Sequence, residues 1–503
     1  MIKIVKRILV ILPALLLEAL LLVLIFTVFR PWAAAIEGIF RVLSFIMALY
    51  VISYRQEGTY KIIWLLFFTL APIPAAAAYL MFGNKKTVRP IVHMVNAARD
   101  RMEIDRKEGD EAIQKVAAED RRISESLQYV TNMSGFPADI CESAQYYPLG
   151  ENCWEDMLAE MKKAEKYIYL EYFIVQDGTM WGEMTKIMAE KVKAGVDVRF
   201  IYDDFGSLTT FSGSDTRKLD QMGIKWIAFN KLKFVSGTLN NRSHRKMLII
   251  DGKVAFSGGI NIADEYINKI EKYGHWKDIG FRITGPAVAN YLYMFTQFWN
   301  AFSKDQIPDS AFDAVPAAVE KEDGVILSYY DSPGNRDAVS NNFYIEMLGN
   351  AKDYAWFYTP YLILGDTLQD AFVRAAQRGV DVRIITPGVP DKKIVFRITR
   401  SFYGPLLEAG VRIYQYTPGF VHAKASLYDD ELCTIGTVNL DYRSLYLHFE
   451  NNSIFWHSSI ADALKADYLD TISKCEEIKL EDMKQGFFGA LFDGILRIFA
   501  PLI

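Results

Sequence analysis

The chain has 503 residues, enough for two or more domains or for one large duplicated unit. Hydrophobic residues make up 51% and aromatics 14%, rich for a soluble protein and suggestive of membrane segments. The net charge of −5 gives no basic excess for a nucleic-acid backbone, and Cys141, Cys153, Cys433 and Cys475 form no C-x-x-C pair, so nucleic-acid binding and a disulfide framework are both disfavoured and the thiols read as free, in a reducing compartment.

In chain order, Ile8–Phe29 is an apolar run interrupted by Glu18, and Ile62–Phe82 is another with Pro72 and Pro74 inside it. Each is long enough to cross the roughly 30 Å hydrocarbon core as a helix. Trp32–Tyr54 is also apolar but carries Glu37 and Arg41, so two or three crossings are expected within residues 1–83. Lys3, Lys6 and Arg7 precede the first run; Lys85, Lys86, Arg89, Arg99 and Arg101 follow the last. The second cluster is larger and places the rest of the chain in the cytoplasm by the positive-inside rule. Residues 84–135 are dense in alternating charge and read as a solvated helical connector.

An α/β pattern follows. Glu155–Ala164 has helical spacing, Tyr167–Phe173 is a β-rich apolar run, Met180–Lys193 is helical again, and Val196–Tyr202 reads as a strand after Gly195. The order recurs as Tyr354–Tyr361, Leu368–Arg378, Gly379 and Val380–Ile385, and AGVDVRFIYD is answered by RGVDVRIITP. The chain is one fold written twice, with halves at 136–315 and 316–485 and sheets expected to be largely parallel.

Each half carries the same constellation. His244, Lys246 and Asp251 form H-x-K-x4-D, and Gly258-Gly259-Ile260-Asn261 follows. His422, Lys424 and Asp429 repeat it, and Gly436-Thr437-Val438-Asn439 follows; the two histidines lie 178 residues apart. On a strand, residues two apart project from one side, so each His and Lys share a face. Asp251-Gly252 signals a hairpin, and the paired small residues let backbone approach a ligand before the asparagine presents its amide. A metal site is disfavoured, because a lysine beside each histidine repels a cation. A phosphodiester fits: lysines and asparagines hold its oxygens, one neutral imidazole attacks phosphorus, and the other donates a proton to the leaving oxygen. Such a reaction needs no cofactor.

These motifs resemble the paired H-x-K-x4-D motifs of the phospholipase D superfamily, and the surrounding text is closer still to bacterial cardiolipin synthases. NNRSHRKMLIIDG, SGGINIADEY and GHWKDIGFRITGPAV are similar to their first motif region, YTPYLI and GTVNLDYRSLYLHFENN to their second, and WLLFFTLAPIPAAAAYLMFGNKK to their membrane region. The resemblance implies a duplicated phospholipase D-like fold, two α/β halves around one active site after N-terminal transmembrane helices. It implies His244 as nucleophile and His422 as general acid, with Asp278 and Glu450 orienting the histidines. It gives Asp251 and Asp429 a less direct part, at the turn and in local ion pairing. Lys277 stands where the family usually has Arg, with little effect expected. The implied substrates are two phosphatidylglycerols in a bilayer, giving cardiolipin and glycerol. The alternatives are hydrolytic phospholipase D and transfer to another alcohol. Nothing in the sequence sets an oligomeric state. The last segment, 486–503, places Phe487, Phe488, Leu491, Phe492, Ile495, Leu496 and Phe499 on one helical face, suited equally to an interfacial anchor or to packing on the catalytic part.

Overall fold

The computed structural model describes residues 33–53, 58–72, 75–76, 79, 88–102, 106–231, 240–335 and 337–500. They fall into two compact units, one N-terminal and one from Val88 onward.

In the N-terminal unit the helices Ala33–Ser53 and Gly58–Leu70 pack on each other. Met47, Val51, Ile63, Trp64 and Phe68 are buried, whereas Ile39, Val42, Phe45, Ile46 and Leu49 face outward. No described helix is long and apolar enough to cross a membrane. Of the expected span at Ile62–Phe82, the residues up to Leu70 belong to the 13-residue helix Gly58–Leu70, and several of those after Pro72 lie outside the described residues. The expected span at Ile8–Phe29 lies outside the described residues.

The second unit contains two sheets with the same strand plan. The seven-stranded sheet runs Ser143–Tyr147, Gly280–Thr284, Val254–Gly258, Met247–Ile250, Tyr167–Tyr172, Asp197–Asp203, Lys225–Phe229. The nine-stranded sheet repeats that order as Val325–Asp331, Glu450–Trp456, Leu432–Gly436, Ala425–Tyr428, Tyr354–Tyr358, Asp381–Pro387, Arg412–Tyr416, and adds Asp139–Ile140 and Cys475–Ile478 at its edges. Asp139–Ile140, placed by sequence with the first half, thus belongs to the sheet of the second. The expectation of largely parallel sheets is corrected. Only the strand-helix-strand portion is parallel, from Tyr167 to Phe229 and from Tyr354 to Tyr416. The motif hairpins are antiparallel because short turns, not crossover helices, join their strands, and the strands beyond them, reached through the longer connections 259–279 and 437–449, pair antiparallel as well.

The helix Val288–Phe302 contacts strands of both sheets. Its sequence, VANYLYMFTQFWNAF, is apolar nearly all round, as a helix with no solvent face requires. The charged stretch before residue 135 is helical but is not a solvated connector. Ile91, Val95, Ile123, Leu127 and Val130 are buried in the main core, and Arg89–Arg99 packs on Val288–Phe302. Charge density hid a thin apolar stripe on each helix. All four cysteines are free, with Cys433 fully buried.

The motif aspartates hold turns. The carboxylate of Asp251 accepts the backbone N–H groups of Glu165, Lys166 and Tyr167 at 2.8 Å each. Asp429 accepts those of Lys352, Asp353 and Tyr354 at 2.7, 2.9 and 2.8 Å. Each ties the end of the motif strand to the start of its neighbour. Asp251 and Asp429 have φ of 53° and 49°, a conformation that Asp tolerates better than most residues. Four strand residues lie between each motif lysine and its aspartate, five residue steps or about 16 Å at 3.3 Å per residue. In the structure Asp251 and Asp429 hold turns and stand well away from the motif lysines. Asp429→Ala orphans three backbone donors and should remove about 2 kcal/mol of stability. A fall of several degrees in the thermal unfolding midpoint checks this, and an unchanged midpoint contradicts it.

Candidate active site

Two short parallel pairings bring the halves together. Gly419–Val421 lies beside His275–Lys277, with Phe420 opposite Trp276, and the next residue, His422, donates its backbone N–H to Lys277 O at 2.7 Å. The equivalent contact joins Ser243 to Phe449, where His244 N–H reaches Phe449 O at 2.8 Å. The segment leading into each histidine thus runs alongside the segment leading into the other half's acid. The pairs that result are crossed: His244 Nδ1 lies 2.9 Å from Glu450 Oε2, and His422 Nδ1 lies 2.6 Å from Asp278 Oδ2.

Electrostatics fixes the protonation state. Burial pulls both imidazoles below their ordinary pKa, against the pull of the carboxylates beside them. Burial alone would raise Glu450 and Asp278, but the facing histidine outweighs it, by its charge whenever the ring is protonated and by its hydrogen bond, and both carboxyls are held below their usual range. Each resting pair is therefore a neutral imidazole donating Nδ1–H to a carboxylate. That leaves Nε2 with its lone pair, and no hydrogen bond among the described residues engages it on either ring.

The lysines flank these rings. Lys246 Nζ donates to His244 O at 2.7 Å, and Lys424 Nζ donates to His422 O. Burial pushes Lys246 down to about 7, with Lys424 adding repulsion. Burial likewise pushes Lys424 down to about 8, opposed by Asp278 and Glu450. Each ammonium is coupled to acids of both halves, so the two half-sites form one site.

The expected phosphate-holding asparagines differ. Asn261 is engaged by protein at both ends: Nδ2 donates to Tyr266 Oη at 2.8 Å and Oδ1 accepts Ile174 N–H at 3.0 Å. Asn439 is buried and its Oδ1 has no partner among the described residues. The glycines serve neighbouring chain rather than a ligand. A Cβ on Gly259 would stand 2.0 Å from Asp278 Oδ1, and one on Gly436 would stand 2.5 Å from Asn451 O. In the second half Thr437 replaces that glycine, and its hydroxyl donates to Glu450 Oε2 at 2.5 Å.

Several supports were not singled out from sequence. Arg245 grips the buried Glu171 through Nη2 to Oε2 at 2.6 Å and stacks 3.5 Å over the Phe298 ring. Arg242 Nε reaches both oxygens of the buried Asp203, at 2.9 and 3.0 Å. Ser243, between them, donates its hydroxyl to Glu171 and its N–H to Asp203. Glu171 and Asp203 inside apolar strands were the available signal, since a charge there needs a buried partner. Lys277 pairs with Asp467 at 2.7 Å beneath His422. Around His422 stand the rings of Tyr266, Trp276 and Phe420, at 5.3, 5.5 and 6.0 Å. Around His244 stand Phe173 at 4.9 Å and His448 at 5.8 Å. His448 precedes Glu450 by two residues, the same-face spacing of a strand. The ligand atoms of His244, His448 and Glu450 lie within 4.8 Å of one another, a grouping able to hold a divalent ion.

Comparison with known proteins gives the family. A family model described as cardiolipin synthase, PLD-like domain, matches residues 157–299 and 344–471, and a phospholipase D-nuclease N-terminal model matches 42–84. A Streptococcus mutans protein is 37% identical over 464 residues, spanning 90% of this chain and 99% of that protein. The cardiolipin synthase of Alkalihalophilus pseudofirmus is 32% identical over 94% of this chain and 95% of its own length. That of Geobacillus kaustophilus is also 32% identical, with the same coverage. Among solved structures, phosphatidylserine synthase from Haemophilus influenzae shares the fold, with a TM-score of 0.58 at 15% identity over 75% of this chain and 97% of that one. With both halves matched and relatives aligned over nearly the whole length, the chain belongs to the cardiolipin synthase family of phospholipase D-like enzymes.

Proposed function

We propose that the enzyme transfers a phosphatidyl group from one phosphatidylglycerol to another, making cardiolipin and releasing glycerol through a phosphohistidine intermediate. The observation that carries this reading is the pair of crossed histidine–carboxylate contacts, each leaving Nε2 free beside a buried lysine. Nε2 of His244 attacks phosphorus, and the bond to the glycerol oxygen breaks as His422, which takes up a proton from solvent when the anionic phosphate binds beside it, gives that oxygen the proton. His422, now neutral, takes the proton of the second phosphatidylglycerol's hydroxyl. The resulting oxygen attacks phosphorus and the P–N bond breaks. Lys246 and Lys424 offset charge on the non-bridging oxygens, Asn439 offers its amide there, and Asp278 and Glu450 orient the two rings. Each imidazolium forms against a carboxylate contributed by the opposite half.

Phosphatidylglycerol vesicles alone should yield cardiolipin and free glycerol, without nucleotide and in the presence of EDTA. Phosphatidic acid as the sole product would make the enzyme a hydrolase, and a mixed phospholipid formed only with an added alcohol would make it a different transferase.

The crossed pairing sorts variants across the halves. With an activated phosphatidyl donor whose leaving group needs no acid, His422→Ala and Asp278→Asn should still form a trapped phosphatidyl-histidine that turns over slowly. His244→Ala should form none, and Glu450→Gln should form it at least tenfold more slowly. Mass mapping of the adduct to His422 in the wild type would reverse the two roles.

We also propose that the N-terminal unit sits in the cell membrane with the catalytic unit on the cytoplasmic side. The outward apolar face of Ala33–Ser53 supports membrane contact, and the basic cluster from Lys85 to Arg101 supports the side. The two or three crossings expected rest on the apolar runs of the sequence. Cys433 is buried and cannot report topology. A Lys321→Cys reporter, at an exposed loop, in a Cys475→Ser background, should escape an impermeant maleimide in intact cells and react after lysis. Labelling before lysis would place the site outside.

A further inference from the structure

The C-terminal helix Phe487–Phe499 has its polarity turned inside out. Its only charged residues, Asp493 and Arg497, face the protein. Asp493 accepts from Arg397 Nε at 2.6 Å and from Gln485 Nε2 at 2.9 Å. Arg497 reaches Gln369 and lies 4.4 Å over the Phe402 ring. The opposite face carries Phe487 and Phe488, 76% and 82% exposed, and continues through Leu491, Phe492 and Ile495 at the spacing of one helical stripe. A helix that merely packs on a catalytic domain turns its aromatics inward and its charges to water.

The neighbouring helix Lys393–Ser401 extends this face. It packs against the C-terminal helix and adds the exposed Ile394. Arg397, half exposed, lies 4.5 Å over the Phe492 ring, and the exposed Lys392 begins the same segment. Aromatics ringed by Lys and Arg are the composition of an interfacial helix on an anionic bilayer, where the rings enter the headgroup–acyl boundary and the cations meet lipid phosphates.

The face is also continuous with the active site. Asp391, just before Lys392, accepts from Tyr361 Oη at 2.6 Å. The Tyr361 ring lies 6.4 Å from Phe420, which stands 6.0 Å from His422. A surface that rests on the bilayer through these two helices therefore sets the height of His422 above the headgroup plane.

We propose that the face formed by Phe487, Phe488, Leu491, Phe492, Ile495 and Ile394, with its Lys392–Arg397 rim, docks the catalytic unit onto an anionic lipid surface and presents the site to headgroups. The docking deepens the proposed function by fixing how a lipid phosphate reaches the histidines. The test uses full-length protein in phosphatidylglycerol nanodiscs, with Phe488→Cys in the Cys475→Ser background carrying an environment-sensitive fluorophore. Emission should shift to the blue and be quenched by lipids brominated on their acyl chains, more weakly in phosphatidylcholine discs. A Phe488→Ser, Leu491→Ser variant should lose about tenfold in the ratio of kcat/KM on bilayer phosphatidylglycerol to kcat/KM on short-chain monomeric phosphatidylglycerol. An unshifted, unquenched label overturns the proposal, as does equal loss on both substrates, or cross-linking of Phe488→Cys between two copies. Quenching needs no turnover, so a quenched label without cardiolipin formation would refute the proposed function and leave the docking intact.

Discussion

The site depends on one exchange: each half's histidine is held by the other half's carboxylate. Neither Glu450 nor Asp278 can orient the histidine of its own repeat while it sits at 2.9 or 2.6 Å from its opposite number. The exchange is set by backbone, because His422 N–H bonds to Lys277 O and His244 N–H bonds to Phe449 O. Slipping either pairing by one residue would turn the acid to the wrong face of its strand. Gly259 is small because Asp278 needs the space, and the buried Arg242–Asp203 and Arg245–Glu171 pairs pin the backbone on either side of His244.

Once crossed, the two pairs share a buried interior. Burial keeps the imidazoles neutral and weakens the hold of the lysines on their protons, while the ionised carboxylates oppose both effects. A neutral Nε2 is a competent nucleophile, and the carboxylate behind it stabilises the positive charge that appears on phosphorylation. An anionic phosphate entering between Lys246 and Lys424 favours their charged forms, so substrate binding and lysine charging reinforce each other.

The repeats have diverged where they surround the rings. His422 stands among Tyr266, Trp276 and Phe420, while His244 has Phe173 and a second imidazole, His448. Arg245 has no counterpart, since Ala423 fills that position in the second half. Thr437 supplies Glu450 with a hydroxyl donor, whereas Asp278 takes the backbone N–H of Ile279 at 2.9 Å. A duplicated frame with unlike walls suits two histidines that do different work in one cycle.

The sequence by itself determined the duplication, the strand positions of the motifs and the identity of the histidines, lysines and acids. Each of those is written locally, as a periodicity or a fixed spacing: Met247–Ile250 and Ala425–Tyr428, directly after each H-x-K, are strands. It also carried the apolar stripe of the last helix, but not which way that stripe faces. Tertiary structure decided that, because facing depends on where Arg397 and Gln369 lie to receive Asp493 and Arg497. It decided the antiparallel pairings, the burial of the helices before residue 135 and which backbone N–H groups Asp251 and Asp429 hold. Above all it decided which acid serves which histidine. Glu450 is 28 residues from His422 and 206 from His244, and it serves the distant one, since partnership follows strand pairing in space rather than separation along the chain.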